Sequence, residues 1–251
     1  MSTNRIIDFP AIKVACQNCR LSSLCLPAGL DDPDVEKLEQ LVSHPKPLRR
    51  GNHLFRMGDP LTALYAVHSG AIKTYTISAD GQEKVLGFHL PGELLGFDGL
   101  GKLRHRCSAS ALDTTSVCKL PFNRLQELAA QLPSLSRQLQ RLMSEEIVQD
   151  HAMLLVLSEM SAPERVATFL LNLSERFGQR GFSAHEFYLS MARQDIANYL
   201  GITLETASRT FRQLHADGLI SVERRDVRIR DRIRLEVLAK IRAGPSSSQA
   251  T

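Results

Sequence analysis

Three cysteines fall within ten residues as Cys16-x2-Cys19-x5-Cys25, and two more, Cys107 and Cys118, lie far along the chain. Clustered thiolates hold soft metal ions or iron–sulfur groups, or they exchange as disulfides. The cysteine count of five is odd, and Met1 to Asp8 lacks the apolar run of a secretory leader. The chain is also not a small disulfide-dense scaffold. These features predict a reducing cytoplasmic setting, where such a cluster of thiols serves metal or redox chemistry. Residues 15–30 show neither helical nor strand periodicity, so a loop is expected to let the three sulfurs converge. A tetrahedral zinc site or a cubane cluster needs a fourth thiolate. Cys118 falls in the alternating stretch Thr115 to Pro121, where Val117 and Leu120 read as core. A free cysteine in such a strand behaves as a small buried hydrophobe. Cys107 follows the polar run Arg104, His105, Arg106 and suits a loop. Cys107 is therefore expected as the fourth ligand and Cys118 as a packing residue. Spacing leaves zinc and iron–sulfur open. Leu21, Leu24 and Leu26 surround the third cysteine, an apolar cover that would limit solvent access to a bound group.

A second pattern carries a different chemistry. From Arg193 to Leu214, apolar residues mark two helices around Gly201. Ile196, Ala197 and Leu200 form the inner face of the first helix, and Ala197 is small where the second must approach. Gly201 occupies a turn that needs a left-handed backbone. Thr203 can cap the second helix, whose inner face is Ala207, Phe211 and Leu214. Glu205, Ser208, Arg209 and Arg212 then face outward near its start, the part of a recognition helix that reaches base edges in the major groove. An arginine there donates twice to guanine O6 and N7, and a glutamate accepts from cytosine N4. Asp217-Gly218 leads into a two-stranded wing, with Arg224, Arg225 and Arg228 available for phosphate. The competing reading is an ordinary helical hairpin with a charged face, and the turn glycine and the wing both argue against it.

Charge and composition agree. The 251 residues carry a formal net charge of +4, yet residues 1–160 contain 17 basic and 17 acidic side chains and residues 161–251 contain 14 and 10. The whole excess lies with the helix-turn-helix, and 13 of those 14 cations are arginine, whose planar fork suits phosphate and guanine. The longest apolar run, Ala152 to Leu157, is far short of a membrane span. No constellation of acid, base and nucleophile suggests an enzyme.

The remaining elements must position these two sites. Residues 31–44 read as a helix, capped by Asp31 or Asp32, with Pro33 in its first turn and Val35, Leu38, Leu41 and Val42 as its stripe. From 47 to 119, short apolar stretches alternate with glycines: 63–67, 71–77 and 84–88, with a hairpin turn at Asp80-Gly81. This pattern predicts an antiparallel β-roll. A short helix over 123–131 and a long one over 134–160 follow. On the long helix, Leu135, Leu139 and Leu142 should pack on the roll. Met143, Ile147, Asp150, Leu154 and Leu157 recur at alternating four- and three-residue spacing, a coiled-coil seam. A helix buried in its own domain is the alternative. In a symmetric pair Asp150 would face its own copy, and the repulsion would make dimerisation weak and conditional. A helix over 161–180 uses Val166, Phe169, Leu170 and Leu173, and residues 187–191 read as a strand. The fold class is therefore α+β: an N-terminal antiparallel β-roll, a long dimerisation helix and a C-terminal winged helix-turn-helix. The boundaries are 1–30 for the cysteine segment, 31–120 for the roll, 121–160 for the dimerisation helix region, 161–243 for the DNA-binding domain and 244–251 for a tail with disordered composition.

Over roughly residues 14–242 the chain resembles the cyclic-AMP receptor protein superfamily, and more closely the fumarate–nitrate reduction regulators. The resemblance is carried by the Cys16, Cys19, Cys25 spacing with a distant cysteine, by Pro91-Gly-Glu-Leu-Leu-Gly96, and by Glu205-x2-Ser208-Arg209. It implies a β-roll of the cyclic-nucleotide-binding type. It also implies that the four cysteines, read here as Cys16, Cys19, Cys25 and Cys107, hold a [4Fe–4S] cluster without oxygen. Oxygen converts that cluster to [2Fe–2S], the dimer separates into monomers, and DNA binding is lost. The implied half-site is TTGAT, read by Glu205, Ser208 and Arg209, with Ile147 and Asp150 in the dimer interface and RNA polymerase as a partner. Leu204 stands where the cyclic-AMP receptor has arginine and Ser208 where it has glycine. The receptor's arginine–serine pair for cyclic-nucleotide phosphate is unmatched, because the region reads His105-Arg106-Cys107, so no cyclic AMP is expected. The resemblance therefore implies a cytoplasmic, oxygen-responsive regulator of anaerobic gene expression, with no membrane partner. A structural-zinc regulator of the same fold without oxygen sensing is the alternative.

Overall fold

The computed structural model of the chain describes residues 16–240, so the start of the 1–30 segment and the 244–251 tail lie outside the described residues. In chain order the elements are α1 (Asp32–Glu39), β1 (His53–Phe55), β2 (Ala63–Ser69), β3 (Ile72–Ile77), β4 (Glu83–His89), β5 (Leu94–Leu95), β6 (Ser108–Ala111), β7 (Ser116–Pro121), α2 (Phe122–Gln131), α3 (Pro133–Glu159), α4 (Ala162–Gln179), β8 (Glu186–Tyr188), α5 (Arg193–Tyr199), α6 (Leu204–Ala216), β9 (Ile220–Glu223), β10 (Asp226–Ile229) and α7 (Arg232–Leu238). They fall into two units: residues up to Ile72 with His89–Leu142, and Lys73–Phe88 with the chain from Met143 onward.

In the first unit β2 is the central strand of an antiparallel sheet ordered β5-β2-β7, with Ala66 opposite both Leu94 and Cys118. β1 pairs with β6. Because side chains alternate across a strand, β2 feeds two cores. Leu64 and Ala66 join Leu26, Leu38, Leu120, Leu125 and Leu135 in one. Ala63, Tyr65 and Val67 join Phe55, Ile72, Cys107 and Val117 in the other. β7 is likewise buried on both faces: Val117 belongs to one core, while Cys118 and Leu120 face the other. Helix α1 begins as expected, with the Asp31 carboxylate accepting from the Asp34 N–H at 3.0 Å. It stops at Glu39 instead of 44, because the Ser43 and Leu48 backbones bond across to Lys119 and Thr115 and draw the chain out as an edge. Leu135 is fully buried, and Leu139 and Leu142 pack against the same core.

The second unit begins with the β3–β4 hairpin, turned at Gly81 (φ +79°) and closed by Ser78 N–H to the Gln82 carbonyl at 2.9 Å. Glu164 reaches back to the Ser161 N–H at 2.6 Å and starts α4, which buries Val166, Phe169, Leu170 and Leu173. The wing differs from a two-stranded ribbon. β8 adds a third strand, giving the order β8-β10-β9 with Val227 between Phe187 and Val222. Helix α7 lies beyond the wing and was not apparent from periodicity. The Asp231 carboxylate caps it, and Leu235 buries its inner face. On the second half of α3, Ile147 and Leu154 are 55% and 63% exposed, Asp150 is exposed, and Met143 and Leu157 are half-buried.

Candidate functional site

Two short 3-10 turns, Cys16–Asn18 and Ser22–Leu24, coil the N-terminal segment so that its three cysteines turn toward β7. The Cys16 N–H donates to the Glu39 carboxylate at 3.1 Å. The Gln138 amide on α3 donates to the Cys25 carbonyl at 2.9 Å, and Gln138 is itself buried. Gly92 (φ +93°) lets the turn sit down on the roll, since a Cβ there would meet the Leu24 Cβ at 3.1 Å. The result is a cleft, partly open to solvent, lined by Cys16, Cys19, Cys25 and Cys118 and walled by Leu21, Leu26, Leu38, Val42 and Leu120. Burial pushes the Cys16 thiol up to about 11 and the Cys25 and Cys118 thiols up to about 12, so they are protonated at neutral pH while the cleft holds no cation. The Cys118 sulfur lies 3.7 Å from His44 Nδ1.

The expectation that Cys107 completes the set is corrected by this geometry. Cys107 is buried in the other core, and its N–H and sulfur contact the Asp98 carboxylate at 3.2 and 3.4 Å. The reason is strand parity. Cys118 lies two residues from Leu120, so both point to the face covered by the cysteine turns, whereas Cys107 faces away. Among the described residues no three His, Cys, Asp or Glu side chains are placed to hold a single metal ion. The four thiols frame an apolar space instead. That donor set fits an iron–sulfur cluster, which takes four cysteine ligands and is shielded by apolar cover. Beside Cys107, His105 is buried, 3.2 Å from Asp98 and stacked on Phe55 with 3.6 Å between ring centres.

The second site is built on α5 and α6. Gly201 (φ +63°) makes the turn, and Thr203 caps α6 by accepting from the Thr206 N–H at 3.1 Å. Ile196, Ala197, Leu200, Ala207, Phe211 and Leu214 are buried as expected, leaving Glu205, Arg209 and Arg212 exposed and Ser208 half-buried along one open face. Sequence reasoning missed two arginines. Arg165 donates to the carbonyls of Leu157, Met160 and Leu200 at 2.8, 2.8 and 2.9 Å, joining the end of α3, the start of α4 and the helix-turn-helix turn. Arg193 lies over the Phe211 ring at 3.4 Å; burial lowers it to about 10, still cationic, and one of its guanidinium nitrogens has no bonding partner among the described residues. It borders an open groove shared with Ser208, Arg212 and His215. Of the wing arginines, Arg224 is exposed at the tip. Arg225 donates to the Ser190 carbonyl at 3.1 Å and Arg228 forks onto Glu186 at 3.0 and 2.6 Å, so both already have protein partners. No helix among the described residues is long and apolar enough to cross a membrane.

Comparison with known proteins identifies the lineage of the whole chain. Residues 164–238 match the model of the Crp-like helix-turn-helix domain, and residues 45–132 match that of the cyclic nucleotide-binding domain. The chain is 51% identical over 224 residues to the transcriptional activator protein anr of Pseudomonas aeruginosa, covering 89% of this chain and 92% of that protein. It is 44% identical over 241 residues to the fumarate and nitrate reduction regulatory protein of Yersinia pestis, covering 96% and 95%. Among solved structures, FixK2 from Bradyrhizobium japonicum superposes with a TM-score of 0.73 at 32% identity, over 78% of this chain and 96% of that one. An α+β fold with a β-roll and a winged helix-turn-helix, an outward-facing recognition helix and full-length relatives that are transcription regulators lead to one conclusion: the chain belongs to the fumarate–nitrate reduction regulator family of DNA-binding transcription factors and is not an enzyme.

Proposed function

We propose that the protein is a cytoplasmic, oxygen-responsive regulator of anaerobic gene expression, in which Cys16, Cys19, Cys25 and Cys118 hold a [4Fe–4S] cluster. The observation that carries this reading is the fourth thiol: β7 brings Cys118 to the three N-terminal cysteines inside one half-buried apolar cleft. Bound there by these four thiolates, the cluster would supply sensitivity to oxygen. The protein's part is to report occupancy. Cys25 is tied through its carbonyl to Gln138, so the cysteine turns and α3 are ordered together. The same helix carries the exposed Ile147, Asp150 and Leu154 stripe, flanked by Met143 and Leu157, and exposed apolar side chains at coiled-coil spacing pair with a second copy. Asp150 opposes its own copy across that seam, which keeps the monomer–dimer balance close enough to even for the N-terminal segment to tip it. The dimer presents two recognition helices to a palindromic site with TTGAT half-sites, with Glu205, Ser208 and Arg209 at the bases and Arg212 beside them. RNA polymerase would then be recruited through roll loops and the surface of the C-terminal domain.

Anaerobically isolated protein is expected to bind a TTGAT palindrome in a gel-shift assay and to release it after exposure to air. Equal binding in both states would overturn the sensor reading. Arg209→Ala should weaken anaerobic binding by about 1–3 kcal/mol, the value of a bidentate guanine contact. Unchanged affinity would remove Arg209 from base reading.

A further inference from the structure

By sequence the β3–β4 hairpin is part of the β-roll, yet it packs within the same unit as the helix-turn-helix. The grip is specific. Lys73 on β3 donates to Asp195 of α5 at 2.8 Å and also pairs with Glu83 across the hairpin. Lys73 and Asp195 are only 16% and 15% exposed, so neither charge is held at the protein surface by chance encounter. The other oxygen of Asp195 accepts from the Ala192 N–H at 3.0 Å and caps α5, so one carboxylate serves both the helix start and the hairpin. One turn along α5, the Asn198 amide locks onto the β4 backbone in both directions. Its oxygen accepts from the Val85 N–H at 2.7 Å and its nitrogen donates to the Glu83 carbonyl at 2.5 Å. At the base of the hairpin, Phe88 packs edge-on against Tyr199 and Phe169 with ring centres 5.1 and 6.0 Å apart, and Arg176 of α4 donates to the Phe88 carbonyl. While the hairpin is seated in this way, Glu205, Arg209 and Arg212 on α6 remain exposed. The hairpin therefore holds α5 without covering the base-reading face.

We propose that the β3–β4 hairpin is a positioning arm for DNA recognition: through Lys73–Asp195 and the Asn198–β4 backbone pair it sets the orientation of α5, and hence of the recognition helix packed on it. The proposal rests on α6 reading DNA and is independent of what the cysteines bind. A side-chain amide bonded twice to a strand edge fixes both position and rotation, and the part-buried ion pair is charge-assisted. Loosening either should cost orientation-dependent base contacts while sparing phosphate attraction, which tolerates small tilts.

The test uses the full-length chain, isolated anaerobically, as wild type, Asn198→Ala, Lys73→Gln and Lys73→Arg. Two readouts are taken: fluorescence anisotropy on the TTGAT palindrome and on a scrambled duplex, and hydrogen exchange of the free protein. Asn198→Ala and Lys73→Gln are each expected to weaken binding to the palindrome about tenfold with less than a twofold change on the scrambled duplex. The α5 amides should exchange about tenfold faster in both variants. Lys73→Arg, which keeps the charge and reach, should restore both readouts. Proportional losses on both duplexes would indicate a merely structural role and overturn the proposal. A gain in palindrome affinity would show that the hairpin restrains the reading head, and would overturn it too. If the wild type binds neither duplex, the DNA-reading assignment fails, while unaltered exchange in α5 separately rejects the arm.

Discussion

A Cys118→Ser variant is expected to lose its visible absorbance, its dimeric fraction and about 10²-fold or more of its anaerobic operator affinity, because binding that depends on two linked reading heads collapses when they separate. Cys107→Ser should retain all three properties. The contrast follows from the two faces of the roll. Cys118 lines the cleft with Cys16, Cys19 and Cys25, and a serine hydroxyl is too weakly acidic to replace a thiolate ligand there. Cys107 lies in the opposite core with its sulfur on Asp98, and a serine at that position keeps the hydrogen bond. Its cost is confined to stability, about 1 kcal/mol. Anaerobic absorption spectra and sedimentation of the two variants make the comparison. A coloured, dimeric Cys118→Ser protein, or a colourless Cys107→Ser protein, would return the fourth position to Cys107.

Arg165→Ala should destabilise the C-terminal half of the protein by about 3 kcal/mol and weaken operator binding with it. Three backbone carbonyls converge on this guanidinium: Leu157 and Met160 at the end of α3, and Leu200 at the turn between α5 and α6. Carbonyls at a helix C-terminus have no partner within the helix and attract a cation. Removing a charged donor that serves three part-buried carbonyls costs more than one ordinary hydrogen bond. A Cβ at Gly201 would also lie 3.3 Å from Arg165 Nη1, so the glycine that shapes the turn also leaves room for the clamp. Arg165→Lys should recover less than half of the loss, since an ammonium on a flexible stem cannot reproduce the planar fork. Urea unfolding followed by tryptophan-free probes such as circular dichroism would measure the effect. A variant as stable as wild type would show that water replaces the guanidinium without penalty.

Much of this architecture was legible in the residues. The helix-turn-helix declares itself through Ile196, Ala197, Leu200, Gly201, Ala207, Phe211 and Leu214, because helical period and a left-handed turn are local properties. The capped start of α1 is local in the same sense. The misreadings arose where tertiary partners decide. Val117 and Leu120 both looked like core, yet they are three residues apart on a strand and so occupy opposite faces. Following that parity would have put Cys118 beside Leu120 and toward the cysteine turns. Leu41 and Val42 extend the helical pattern of α1, but the Ser43–Lys119 bridge ends the helix before them. Alternating charges from Arg230 to Glu236 hid α7, whose burial rests on Leu235. Arg225 and Arg228 looked free because nothing in their neighbourhood in sequence announces Ser190 or Glu186.

Under the proposed function, four thiols from two distant parts of the chain hold one iron–sulfur cluster. Metal and sulfide analysis of the anaerobically purified wild-type protein, with its absorption spectrum recorded before and after admitting air, tests it most directly. A brown protein with about four iron and four sulfide per chain that bleaches in air is expected. A colourless protein carrying zinc and no sulfide, unchanged by air, would contradict it.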